Sequence, residues 1–160
     1  MSNYHVFTIT TAYWNTLYKH FENDNYIFSC FKNHIINEDD YIIFYQKSDC
    51  AKRGFIGFCQ AQTELKKNTE NIKIFKDKNL NSYFCRIKNI NIFKHPIIIS
   101  RIFYLITTTT LSIRKFIHKY LKHSEEFLLL PKLIGSSIIS SFIQLCDEEN
   151  IKIQLLNLAD

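Results

Sequence analysis

The groups able to move protons or hold a metal are six histidines (His5, His20, His34, His95, His118 and His123) and three carboxylate clusters, Asp39-Asp40, Glu125-Glu126 and Asp147-Glu148-Glu149. A metal site needs a second ligand at a short, fixed spacing, and no histidine has one, so each reads as a surface or partly buried residue. Adjacent carboxylates face opposite ways on a strand and diverge on a helix, so the acidic clusters read as solvated. The five cysteines, Cys30, Cys50, Cys59, Cys85 and Cys146, are scattered without a C-x-x-C pair, as free thiols of a reducing compartment are. Cys59 and Cys85 lie in apolar strand-like runs, where a thiol acts as a small core residue. No G-x-S-x-G, no H-E-x-x-H and no glycine-rich phosphate loop occurs, and three glycines leave little to build one from. The expectation is a protein without catalytic residues, metal or cofactor.

Binding chemistry is better represented. A charge of +5 and a pI near 8.9 favour polyanions through counterion release, although a composition rich in Ile, Asn, Lys, Phe and Tyr accounts for part of that excess. In "IRKFIHKYLKH", Arg114, Lys115, Lys119 and Lys122 are close together on a helix, a face that is solvated by default and otherwise suits an acidic surface, a membrane or a nucleic-acid backbone.

Those side chains need a scaffold, and 160 residues with 46% apolar and 22% charged content suit one folded domain spanning 1–160. No apolar run approaches the ~18–20 residues of a membrane span, and "MSNYHVFTIT" lacks a basic stretch followed by an apolar one. An intracellular protein, cytoplasmic or nuclear, is expected, with no membrane contact.

"YHVFTIT" reads as a first strand leading into Thr10 and Thr11. Trp14, Leu17, Tyr18 and Phe21 then repeat at helical spacing, with Asn23-Asp24-Asn25 as the stop. "YIFSCF" is a short apolar piece bracketed by turns, and "YIIFYQK" and "GFIGFCQAQTEL" form a hairpin across the loop Lys47–Arg53. Gly57 inside that second strand signals a bulge or a close backbone approach. "KKNTENIKIFKDKNLN" reads as a charged connection, and "SYFCRIKNINIF" as a half-buried strand ended by Lys94-His95-Pro96. "IIISRIFYLI" fits strand or helix alike. A helix is expected to about Lys122, then a loop in "FLLLPKLIGSSIIS" around Pro131 and Gly135, then a helix and a terminal strand.

The order strand, helix, "YIFSCF", "NEDDYIIFYQK", loop, "GFIGFCQAQ" resembles the EVE family of the PUA-like superfamily, which also includes the YTH domain. "CRIKNINIFKHPIII" is similar to that family's strand ending in a "P-I" segment. "FIHKYLKHSEEFLLLPKLIGSSIIS" resembles its C-terminal loop. Two departures stand out: Phe28 occupies a position where the family commonly has tryptophan, and Asp39-Asp40 replace a glycine-aspartate turn.

The resemblance implies an α+β fold, a PUA-like mixed β-barrel flanked by short helices, and a non-enzymatic function. It implies a pocket beside the first strand for a flipped, often modified, base of DNA or RNA, whose extrusion costs a few kcal/mol. Phe28 is then the stacking platform, Ser29, Thr10 and Thr11 read the base edge, and Lys47 and Arg53 contact phosphates. The backbone of Leu133, Ile134, Gly135 and Ser136 borders the pocket. Each assignment has a plainer counterpart: Phe28 as a core aromatic, the threonines as helix caps, the two cations as loop solubilisers, Trp14 as the anchor of the first helix. The alternative function is a protein-interaction module that keeps the barrel without the pocket, and a protein partner or homodimer fits that surface.

Overall fold

A computed structural model of the chain describes residues 2–21, 25–29, 34–47, 54–76, 78–98, 126–148 and 153–156. The fold is mixed α+β, a strongly curled half-barrel of sheet with two helices. Strand β1 (Tyr4–Thr10) runs into helix α1 (Thr11–His20), followed by β2 (Tyr26–Ser29), β3 (Tyr41–Lys47), β4 (Gly54–Ala61) and β5 (Lys66–Lys67). A 3₁₀ turn at Lys78–Asn81 precedes β6 (Tyr83–Ile97), β7 (Glu126–Leu130), helix α2 (Lys132–Glu148) and β8 (Ile153–Leu156).

The sheet runs in the order β2-β6-β4-β3-β1-β7, with β5 and β8 also paired to β6. β1 and β3 are parallel, in register from Tyr4 opposite Tyr41 to Thr10 opposite Lys47, and β7 lies antiparallel on the other side of β1. The end strands β2 and β7 are not neighbours in that order, so among the described residues the barrel stays open.

Side-chain alternation divides the interior in two. Phe7, Ile9, Ile42, Phe44, Cys59 and Ala61 face one core, which α1 covers with Tyr13, Leu17 and Phe21. Val6, Ile43, Tyr45, Phe55 and Phe58 face the other, which α2 covers with Ile134, Ile138 and Phe142 at four-residue spacing. Each such aromatic or Ile contributes roughly 1.5–3 kcal/mol on burial, so this alternation, interrupted in β4 by a bulge at Ile56, fixes the register of β1, β3 and β4.

Gly57 combines both anticipated features. Ile56 is the extra residue of a bulge, since Gly57 pairs with Phe44 and Phe55 with Tyr45. A Cβ on Gly57 would lie 2.3 Å from the Asn91 carbonyl oxygen of β6. β6 does not stop at Pro96 as expected but continues to Ile97, because residues 93–96 fall in a register shift against β4 where the proline nitrogen owes no ladder bond. The expected loop around Pro131 and Gly135 is instead the end of β7 and the first turn of α2. Proline just before a helix carries a preset φ, and the Ile134, Ile138, Phe142 stripe supplies the apolar face. The expected helix to Lys122 lies outside the described residues. No helix of the described residues is long and apolar enough to cross a membrane.

Candidate functional site

The expected base pocket is not assembled as the resemblance implies. Phe28 is 0% exposed, enclosed by Tyr26, Phe75 and Phe84, and Ser29 beside it is buried as well. All four residues of β2 are buried against β6 and α1, so neither ring face of Phe28 is available for stacking. The Tyr13 hydroxyl accepts from the Phe28 N–H at 3.2 Å and donates to the Phe28 carbonyl. One phenol thereby satisfies the backbone pair that strand β2 turns away from β6.

Thr10 and Thr11 take local duties. Thr10 caps α1, its Oγ1 accepting from the Tyr13 N–H at 3.1 Å, and the Thr11 hydroxyl accepts from the Gln46 side-chain amide at 3.1 Å. Lys47 ends β3 opposite Thr10, while Arg53 lies outside the described residues. Trp14 packs on Phe21 and on Phe44 of β3, the anchoring role.

A cleft of about 410 Å³ does open beside β1, displaced from Phe28. Thr10, Ala12, Tyr13 and Thr16 of the first turns of α1 form one wall, and Ile74, Phe75, Lys76 and Leu80 form the other. Phe75 is half-buried, with one face stacked on Tyr13 at a centroid distance of 4.5 Å. Two asparagines build this second wall. Asn81 Oδ1 accepts from the Ile74 and Phe75 N–H groups at 3.3 and 3.1 Å, and its amide donates to the Phe75 carbonyl at 2.7 Å. Asn68 donates to the Ile72 and Asn81 carbonyls at 2.7 and 2.8 Å. The segment read as a plain charged connection is therefore a pinned loop that presents an aromatic ring and a lysine. Its signal in the sequence is the alternation of Ile72, Ile74 and Phe75 with Lys73 and Lys76.

Leu133 and Ser136 border a different cleft, with Tyr4 and Tyr41, at the far end of β1. Tyr4 and Thr10 stand roughly 20 Å apart at ~3.3 Å per residue, so the predicted residues divide between two sites. Ile134 and Gly135 are buried between α2 and the sheet.

A third cluster corrects two readings of the sequence: His5, read as surface or partly buried, is fully enclosed, and Asp40, read as solvated, is 1% exposed. Asp40 accepts from His5 Nε2 at 2.9 Å, and from the backbone N–H groups of Asn3 and Asn37 at 2.9 Å each. The carboxylate can only accept, which assigns the His5 proton to Nε2 and leaves Nδ1 to accept from His34 Nε2 at 2.8 Å. Burial lowers the pKa of His5 despite the Asp40 hydrogen bond and charge, and burial with the His5 charge lowers that of His34 to about 4. Burial raises Asp40, but the N–H groups of Asn3 and Asn37 and the His5 side chain outweigh it and leave its pKa lowered. The relay ties β1 to the segment entering β3. Cys59 and Cys85 are buried free thiols whose pKa values burial raises, that of Cys85 to about 12. Among the described residues no group of three His, Cys, Asp or Glu side chains could hold a metal ion.

No protein-family model matches the chain, and no curated protein matches it.

Proposed function

We propose that the chain is a non-enzymatic, PUA-like nucleic-acid-binding domain that admits an unstacked, and in some substrates modified, base of DNA or RNA. The base enters the cleft between α1 and the Ile74–Lys76 segment. The observation that carries this reading is Phe75 in the cleft wall, a half-buried ring already held by Tyr13, with Lys76 beside it. A base stacked on such a ring gains roughly 1–3 kcal/mol, which offsets the few kcal/mol of unstacking. Thr10 and Thr16 bring hydroxyl groups to the same wall, and Lys76 is placed to meet a phosphate. The net charge of +5 favours the encounter.

The EVE resemblance gains support at one turn. Asp39 has φ 70°, left-handed backbone that glycine adopts most readily, at the position where the family carries glycine. The adjacent Asp40 carboxylate then receives the N–H groups that hold the turn to β1.

The enclosure of Phe28 and Ser29 favours a second reading, an interaction module on the same half-barrel with no base pocket. Binding of unmodified and methylated oligonucleotides, titrated across salt concentrations with the native chain and with Phe75→Ala, separates the two. The base-binding reading expects affinity that Phe75→Ala weakens and salt suppresses. No oligonucleotide binding at low salt, or equal affinity in the variant, overturns it.

A further inference from the structure

The second cleft ends a stack of flat groups. Tyr4 and Tyr41 are direct partners across the parallel β1 and β3 pair, so their side chains leave the same face of the sheet. Their rings lie 5.1 Å apart and within 5° of parallel. Behind Tyr4 runs the backbone of α2, where a Cβ on Gly135 would come within 2.3 Å of the tyrosine Cγ. Glycine weakens a helix interior, and here it lets a ring lie directly on the helix.

The cleft holds about 580 Å³ and is lined by Ser2, Tyr4, Tyr41, Lys132, Leu133 and Ser136. Both tyrosines remain partly exposed, and Leu133 is 67% exposed. Among the described residues of the lining Lys132 is the one charged group, and none of them is a carboxylate. A ligand complementary to these groups has a flat ring for the tyrosines and a separate anionic group for the ammonium. The Ser2 and tyrosine hydroxyls face its polar edges, while the Ser136 hydroxyl, which donates to the Leu133 carbonyl at 3.1 Å, can still accept.

We propose that this cleft binds a single nucleotide unit, its base on the Tyr4–Tyr41 stack and its phosphate at Lys132. The choice of ligand rests on the nucleic-acid reading of the chain, while the site is distinct from the Phe75 cleft. The unit is either a free nucleotide or a residue of a bound strand, and the chemistry recognised is the same.

The test is a heteronuclear NMR titration of the full chain with adenosine monophosphate, adenosine and inorganic phosphate, followed by oligonucleotide binding. Adenosine monophosphate is expected to shift Ser2, Tyr41 and Lys132 saturably, and Lys132→Ser to weaken that binding by about tenfold, as loss of one charge-assisted contact does, while leaving adenosine unaffected. Lys132 is exposed, so the variant keeps the fold. Tyr41 resonances unmoved by adenosine monophosphate, or shifts that phosphate alone reproduces, overturn the proposal. An oligonucleotide that requires Phe75 but leaves Tyr41 unmoved defeats this site alone. Mononucleotide binding at Tyr41 without any oligonucleotide binding defeats the base-reading function instead.

Discussion

His5 Nε2 lies 2.9 Å from Asp40 Oδ2, and both side chains are enclosed by the fold. A second hydrogen bond of 2.8 Å extends the pair to His34, and burial, against the pull of Asp40, makes the folded chain prefer neutral imidazoles. The His34 ring also stacks on Phe127 of β7 at 4.9 Å, so its orientation is fixed by packing as well as by the relay.

Acid therefore destabilises the fold over a definite window. Unfolded histidines take up protons near pH 6.5, whereas folded His34 resists until about 4 and folded His5 also titrates below its ordinary value. Stability present above pH 6.5 is lost as pH falls toward 4, and loss of the Asp40 charge extends the decline below 3.8. Thermal melts from pH 7.5 to 4 are expected to show a falling Tm. His34→Gln should flatten that slope, and an unchanged slope would contradict the relay.

Removing one oxygen from Tyr13 should be costly. Tyr13→Phe leaves the Phe28 N–H and carbonyl buried without their shared partner, a loss of about 1–3 kcal/mol. Urea denaturation is expected to show a lower midpoint with little change in slope.

Phe28 and Phe75 should separate by assay. Phe28→Ala is expected to cost about 3–5 kcal/mol of stability, as truncation of an enclosed core aromatic does. Phe75→Ala should lower oligonucleotide affinity about tenfold or more, with a smaller effect on Tm. The reverse pattern would return the stacking role to Phe28.

Gly135→Ala sets two effects against each other. Alanine favours the helix by roughly 1 kcal/mol, but its methyl meets the Tyr4 ring at 2.3 Å. The clash prevails, and Tm is expected to drop. Tyr4→Gly in the same chain removes both the Cβ and the ring that the methyl meets, so a double-mutant cycle by calorimetry should show strong coupling between the two positions.

The strands of the half-barrel were legible because alternation in "YHVFTIT", "YIIFYQK" and "GFIGFCQAQ" matches two buried faces, and Gly57 announced its bulge. Helix α2 was misread because Pro131 and Gly135 resemble loop punctuation. Proline precedes the helix, however, and the glycine answers to Tyr4, a neighbour 131 positions earlier in the chain. Phe28 could not be placed from its flanking residues, since a ring between apolar neighbours fits a pocket wall and a core equally. The Asp40, His5 and His34 relay joins positions 35 and 29 residues apart, a separation that no local spacing rule detects.

Asn81 gives the cleft a kinetic character. A wall in which Asn81 is bonded to the backbone of Ile74 and Phe75 is already shaped before any ligand arrives, so a base docking there would surrender little conformational freedom. On the proposed base-binding reading, capture by such a wall would be governed by collision and charge steering rather than by a slow ordering step, and discrimination among ligands would reside in how long each one stays.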